Sequence, residues 1–300
     1  MSNNTEFTNY KKSEISRKRL TIKELESLSI FLSRIFKKSL YFQLKKNYSV
    51  EFLNWLYNEN PNGKAIINNV YEGEKIIAHF ALVPITVQFN NKTYKSALTV
   101  FTAIDENHRG LLFLQLASKS FERAKLEGIR FIMGVANETS SELYAKLFKF
   151  KLISPLAVKV GLSKFQEKNN LPHKFEILRD KKTLEWRLSN PRFKYQIFKD
   201  NEKYIIFNNN YKLFKMNMGY VSNKDLDLQN KILFKDSYNL NPFNMWIGLN
   251  NNLKDTKISF NFPKILKPSS LNLIIKDLES EETNLSKEDI KFNLIDYEMY

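Results

Sequence analysis

The stretch Leu98-Thr99-Val100-Phe101-Thr102-Ala103-Ile104, continuing through Asp105-Glu106-Asn107-His108-Arg109-Gly110 into Leu111-Leu112-Phe113, decides the fold of this chain. Leu98 to Ile104 has the β-branched and aromatic content of a strand. The next six residues are polar and end on a glycine, as a turn requires. From about Leu112 to Leu126 the apolar residues Leu112, Phe113, Leu116, Ala117, Phe121 and Ala124 form one stripe at helical spacing, and Gly128 stands just past the end as a stop. A strand that passes through a glycine turn into a helix leaves backbone N–H groups unpaired at the positive end of the helix dipole. Such an end binds phosphate.

Upstream, Thr21-Ile22-Lys23-Glu24 reads as a capping box, and Leu25, Leu28, Phe31, Leu32 and Ile35 follow on one helical face. A second amphipathic piece with Phe52, Trp55 and Leu56 stops at Asn60-Pro61-Asn62-Gly63. Ala65 to Tyr71, Lys75 to Val87 and Tyr94 to Ile104 then read as an antiparallel meander, with hairpin turns at Glu72-Gly73 and Asn90-Asn91. Downstream come a strand from Arg130 to Ala136 and a helix from Ser140 to Leu147. Thr139 and Glu142 have the spacing of another capping box. This order predicts an α/β (α+β) mixed sheet.

The whole chain sets the outer bounds. Its 300 residues suffice for one large domain or two of ordinary size, and 43% hydrophobic and 26% charged residues place it among folded globular chains. Without cysteine it has no disulfide, thiolate metal site or cysteine nucleophile. His79, His108 and His173 lack metal-ligand spacing, so no metal is expected. Residues 1–20 form a polar leader without the apolar core of a secretory signal, and the longest apolar run, Ile76 to Val87, is interrupted by His79 and Pro84. These features predict a cytoplasmic protein without a membrane span. A net charge of +15 attracts polyanions, but no dense basic block interleaved with aromatics points to nucleic acid.

Trp55 precedes Asn60-Pro61 and Trp186 precedes Asn190-Pro191, an offset of about 130 residues, which is the scale of a duplicated domain. The second copy has no glycine turn leading into a long amphipathic helix. The expected division is therefore a first domain over 21–160 that carries the turn and a related half over 161–300 that lacks it.

From Ile76 to Phe150 the chain resembles the GNAT family of acyl-CoA N-acyltransferases. The resemblance rests on the turn Asn107-His108-Arg109-Gly110-Leu111-Leu112, the strand Phe131-Ile132-Met133-Gly134-Val135-Ala136-Asn137 and the helix ending Leu143-Tyr144-Ala145-Lys146-Leu147-Phe148-Lys149-Phe150. The wider pattern, Trp55 through Asn60-Pro61-Asn62-Gly63, Ala81 to Pro84, Trp246-Ile247-Gly248, Pro268-Ser269 and Leu294 to Tyr297, is similar to bacterial two-half GNAT proteins of this length. The resemblance implies an acetyl-CoA co-substrate whose pyrophosphate lies on the amides of Gly110, Leu111, Leu112 and Phe113 beside Arg109. It also implies a pantetheine arm paired along the backbone near Thr102 and Ile104, and Asn137 near the thiol. Tyr144 matches the family's frequent acid for the departing thiolate; its spacing with Leu143 and Leu147 equally fits a core aromatic. His79, inside the apolar strand Ile76 to Val87, is the candidate base, reached through water, at a position more often held by a satisfied core histidine; Asp105 and Glu106 in the turn are acids of the kind ordinary in a solvated loop. Two positions depart from the family: Leu112 replaces a second small residue, and Lys149 replaces a glycine.

The implied acceptor is a small primary amine, with an amino sugar of surface-polysaccharide synthesis suggested by the two-half resemblance. An aminoacyl-tRNA-dependent transferase of the peptidoglycan-bridge type and a non-catalytic GNAT-fold binding module are the alternatives. Replacing Arg109 by Glu is expected to weaken CoA binding in a calorimetric titration by reversing the charge at the turn. Unchanged affinity would remove the phosphate role from this turn.

Overall fold

A computed structural model describes residues 10–12, 18–36, 48–162, 165–166, 173–200, 203–208, 214–222, 242–250, 253–254, 259–262 and 270–297. Pro268-Ser269, part of the pattern quoted above, lies outside these residues. The short strand β1 (Tyr10–Lys12) precedes helices α1 (Ile22–Ile35) and α2 (Val50–Asn58). The capping box forms as expected: Thr21 accepts from the Glu24 amide and Glu24 accepts from the Thr21 amide. The meander follows as β2 (Ile66–Glu72), β3 (Lys75–Phe89) and β4 (Lys92–Ile104). Asn90 and Asn91 both take positive φ, 49° and 62°, which the mirror-image turn of a tight hairpin demands.

Helix α3 (Leu111–Leu126), strand β5 (Phe131–Ala136), helix α4 (Glu138–Phe148) and strand β6 (Lys151–Pro155) complete the first run. α4 begins two residues before the expected Ser140. Asn137, not Thr139, caps it, accepting from the Ser140 amide at 2.8 Å. The local competition goes to the residue that leaves the strand in an extended conformation, because only there can a side chain fold back over the first turn.

The remaining elements are β7 (Ala157–Gly161), β8 (Phe175–Leu178), α5 (Lys181–Leu188), β9 (Tyr195–Asp200), β10 (Lys203–Asn208), β11 (Lys215–Ser222), β12 (Asn244–Gly248), β13 (Ser259–Asn261), β14 (Asn272–Asp277) and β15 (Ile290–Lys291). They complete two sheets. One runs β1-β2-β3-β4-β5-β14-β6, with β8 on the far half of β3 and β15 on β8; the other runs β13-β7-β12-β11-β10-β9. Pro84 sits within β3 where β2, which ends its pairing at Leu82, gives way to β8, which begins at Thr86. A missing N–H is tolerated in that gap.

The two sheets repeat one plan. β2, β3, β4 and β5 correspond to β9, β10, β11 and β12: antiparallel pairs lead to one parallel pair, β4 with β5 and β11 with β12. The helices before them correspond too. Ser49 caps α2 through the Phe52 amide, and Asp180 caps α5 through the Thr183 amide. Sheet membership does not follow a cut after residue 160, however. β7 enters the second sheet beside β12, and β14 enters the first between β5 and β6. The exchange covers an edge of each parallel strand that would otherwise be open.

The halves meet at a reciprocal contact. The Trp55 and Trp186 rings stack with centroids 4.7 Å apart; Trp55 Nε1 donates to the Trp186 carbonyl at 2.8 Å, and Trp186 Nε1 donates to the Trp55 carbonyl at 3.0 Å. Around this seam one core cluster gathers α1, α2, one face of the first sheet, Phe175, Leu249, Leu285 and Tyr297. A second cluster packs α3 and α4 on the opposite face. Replacing Trp186 by Ala is expected to lower stability by about 3–5 kcal/mol through lost ring packing, with the Trp55 carbonyl losing its indole donor as well. Urea unfolding followed by circular dichroism reads the change.

Candidate functional site

The site is built on a parallel pair that stops early. β4 and β5 pair only at Ser96 with Phe131, Ala97 with Ile132 and Leu98 with Met133. Beyond Leu98 the two strands diverge, β4 running on to Ile104 and β5 to Ala136. A bulge in β4 marks the same place. Val100 pairs with Ala81 and Ala103 with His79, so Phe101 and Thr102 together face Phe80. Phe101 takes φ 47°, a left-handed conformation strained for a large side chain. Among the described residues no strand pairs this side of β4 beyond Leu98, so the stretch that bears Thr102 and Ile104 faces the split, as pairing with an extended arm would require.

The polar turn is organised by Asp105. Its carboxylate meets Arg34, from the last turn of α1, at 2.8 Å and accepts from the Asn107 amide at 3.3 Å. Burial pushes this carboxyl up, but the Asn107 amide and the Arg34 charge outweigh it and hold the pKa below its ordinary value. Glu106 to His108 form one 3-10 turn, and Gly110 then caps α3 at φ 107°, a conformation that favours glycine. Phe113 donates its amide to the Gly110 carbonyl at 3.2 Å, which removes Phe113 from the donors expected for phosphate. Gly110, Leu111 and Leu112 remain as first-turn amides without an intrahelical acceptor. Arg109 stands exposed beside them, 3.8 Å from Glu106. Leu112 is half-buried against the α3–α4 core cluster, so its bulk is turned toward packing, while Leu111 is exposed.

Tyr144 takes the core position its spacing allowed, with its hydroxyl left at the split. Its ring is buried, edge-to-face with Phe150 at 4.9 Å and Phe113 at 5.5 Å, whereas Leu143 and Leu147 are exposed. Its hydroxyl reaches β4 just beyond the last parallel pair, 3.1 Å from Thr99 Oγ1 and 3.0 Å from Thr102 Oγ1. Burial raises its pKa, partly offset by those two hydroxyls, so it keeps its proton through the neutral range. Asn137, at the far end of β5, is exposed and engaged as the α4 cap. Lys149 ends α4 at φ 58°, the left-handed position that glycine fills more cheaply.

His79 lies apart from this arrangement. It is wholly buried, with Nδ1 2.6 Å from Asn69 Oδ1 and Nε2 3.0 Å from Tyr57 Oη. A neutral ring protonated on Nδ1 satisfies both partners. Burial lowers its pKa to about 3. A base must exchange a proton with the acceptor, and both nitrogens of this ring are committed to the protein, so the geometry gives His79 a structural place. Thr99 is the residue that sequence reasoning passed over. Its signal was Gly134, because a glycine inside a strand marks close approach. A Cβ at Gly134 would lie 2.7 Å from the Thr99 methyl.

The second half has the same split in closed form. β11 and β12 pair only from Lys215 with Asn244 to Asn217 with Trp246, and Met218 is the bulged residue. There the chain fills its own opening. Asn293 presses on Gly219, and Phe292 and Leu294 line what remains, a cavity about the size of one water. Asp296, buried, anchors this plug to Arg179 at 3.1 Å.

No family model and no curated protein matches the sequence. Solved structures do match. A GCN5-related N-acetyltransferase from Anabaena variabilis is 12% identical with a TM-score of 0.56, over 90% of this chain and 73% of its own. One from Kribbella flavida is 7% identical with a TM-score of 0.56, over 87% and 70%. N-myristoyltransferase of Saccharomyces cerevisiae, solved with bound myristoyl-CoA, is 13% identical with a TM-score of 0.53, over 91% and 80%. At these identities the likeness is one of fold, and the chain has the GNAT-type acyltransferase fold. Among the described residues no helix is long and apolar enough to cross a membrane.

The depressed His79 pKa makes stability depend on pH. Below about pH 6.5 the unfolded chain gains a proton on this ring that the folded chain refuses until about pH 3. The contribution is therefore complete above pH 6.5 and falls by up to about 1.4 kcal/mol per unit on acidification through that window. Replacing His79 by Gln is expected to flatten the decline in urea midpoint between pH 6 and 4, and an unchanged slope would place the proton linkage elsewhere.

Proposed function

We propose that this GNAT-fold chain is an acyl-CoA-dependent N-acyltransferase acting on a small primary amine. The observation that carries the reading is the Tyr144 hydroxyl, held by Thr99 and Thr102 over the edge where β4 leaves β5. The first-turn amides at Gly110, Leu111 and Leu112, with Arg109, would hold the pyrophosphate, and the free edge of β4 near Thr102 and Ile104 would pair with the pantetheine arm. The co-substrate supplies an activated thioester.

The acceptor nitrogen attacks the thioester carbonyl, the C–N bond forms and the C–S bond breaks. The amine's proton leaves to solvent, and the thiolate takes up a proton. Tyr144 enters at the last step. With its pKa raised it is a weaker acid than a thiol, so its first contribution is a hydrogen bond to sulfur as negative charge develops there. Thr99 and Thr102 can re-bond the hydroxyl as it shifts, which keeps it aimed. Asn137 is assigned to the neighbourhood of the thiol by its place at the end of β5. Acetyl as the acyl group and an amino sugar as the acceptor rest on the sequence resemblance.

Titration with CoA tests binding directly: a heat signal and a raised Tm at millimolar CoA are expected, and the absence of both would count against the reading. Replacing Tyr144 by Phe is expected to lower thiol release from acetyl-CoA, in the presence of a panel of small primary amines, by roughly 100-fold or more with CoA affinity preserved. Equal turnover would leave Tyr144 as a core residue alone.

A further inference from the structure

We propose that Thr99, packed on Gly134 and tied to Tyr144, forms the floor of the acyl site and limits the donor to short acyl groups such as acetyl and propionyl. The inference rests on the acyltransferase reading above, and it concerns a different property of the same split. An arm that enters at the α3 turn and runs beside β4 toward Leu98 brings its thioester to the narrowing end. The acyl group then points into whatever space remains before Leu98 and Met133 close the strands.

Very little space remains. The Thr99 methyl lies so near Gly134 that a Cβ there would sit 2.7 Å from it, and the Ile274 side chain backs the same glycine with Cγ1 3.2 Å from that point. Thr99 Oγ1 bonds Tyr144 Oη at 3.1 Å, so β4, β5, α4 and the exchanged strand β14 all meet at this floor. None of the parts yields readily. Threonine is β-branched and has one stiff torsion. The Tyr144 ring is hemmed in by Phe113 and Phe150. Gly134 serves the same closure, because only a residue without a side chain lets the Thr99 methyl come down onto β5.

A longer acyl chain must push into packed atoms, and misfit in an apolar pocket costs roughly 10- to 200-fold per methylene. Calorimetric titration of the full chain with free CoA, acetyl-CoA and octanoyl-CoA tests the proposal without knowledge of the acceptor. Free CoA and acetyl-CoA should bind alike, with octanoyl-CoA weaker by about 10-fold or more. Replacing Thr99 by Gly should bring the octanoyl-CoA affinity toward that of acetyl-CoA, each read against free CoA on the same variant. Thr99→Ser keeps the hydroxyl on Tyr144 and removes only the methyl, and should move the ratio part of the way. Octanoyl-CoA binding as tightly as acetyl-CoA, or a ratio unmoved in both variants, overturns the floor and leaves CoA binding intact. Failure of the unaltered chain to bind free CoA overturns the acyltransferase reading itself, and the floor with it.

Discussion

Three residue pairs between β4 and β5 determine what the rest of this molecule can do. Parallel strands that stayed paired would give an ordinary closed sheet. Strands that never paired would leave α3 and α4 without a common floor. A short pairing followed by divergence creates a polar backbone edge inside a folded protein, and that edge is stable only if something can bond it. The bulge at Phe101 and Thr102 enforces the divergence by bending β4, at the cost of a left-handed phenylalanine. Strain held at such a position is a common mark of a working site.

The two halves show the same constraint answered in two ways. In the second sheet, the divergence of β11 from β12 is filled by the chain's own segment around Asn293, with Asp296 and Arg179 fastening it. In the first sheet the hydroxyls of Thr99, Thr102 and Tyr144 meet beside the split. One opening is thus consumed by structure, and the other retains polar groups suited to a ligand. The exchanged strands make these halves one unit. β14 braces β5 from behind, and Lys276 on it donates to the Phe148 carbonyl at the end of α4, so the helix bearing Tyr144 is positioned by a strand from more than a hundred residues downstream.

Much of the fold could be read from local pattern. The capping box at Thr21, the asparagine hairpin, the amphipathic stripe of α3 and Gly128, at φ 74° just past that helix, are decided by residues within a turn of one another. The doubling signalled by Trp55 and Trp186 was legible because both copies keep the same helix-to-strand junction. The start of α4 was misplaced because Asn137 and Thr139 are both sound caps in isolation, and only the exit path of β5 chooses between them. His79 read as a possible base because a histidine in an apolar strand has the same letters whether or not its nitrogens are satisfied.

The sequence alone determined the order of strands and helices from Thr21 to Phe150 and the glycine turn that opens α3, because each depends on periodicity or on near neighbours. Tertiary structure alone decided that β7 and β14 change places between sheets, that His79 is buried between Tyr57 and Asn69, and that Thr99 meets both Gly134 and Tyr144. These depend on contacts between residues far apart in the chain, whose closeness is set by how sheets twist and helices pack. Local spacing carries no record of that.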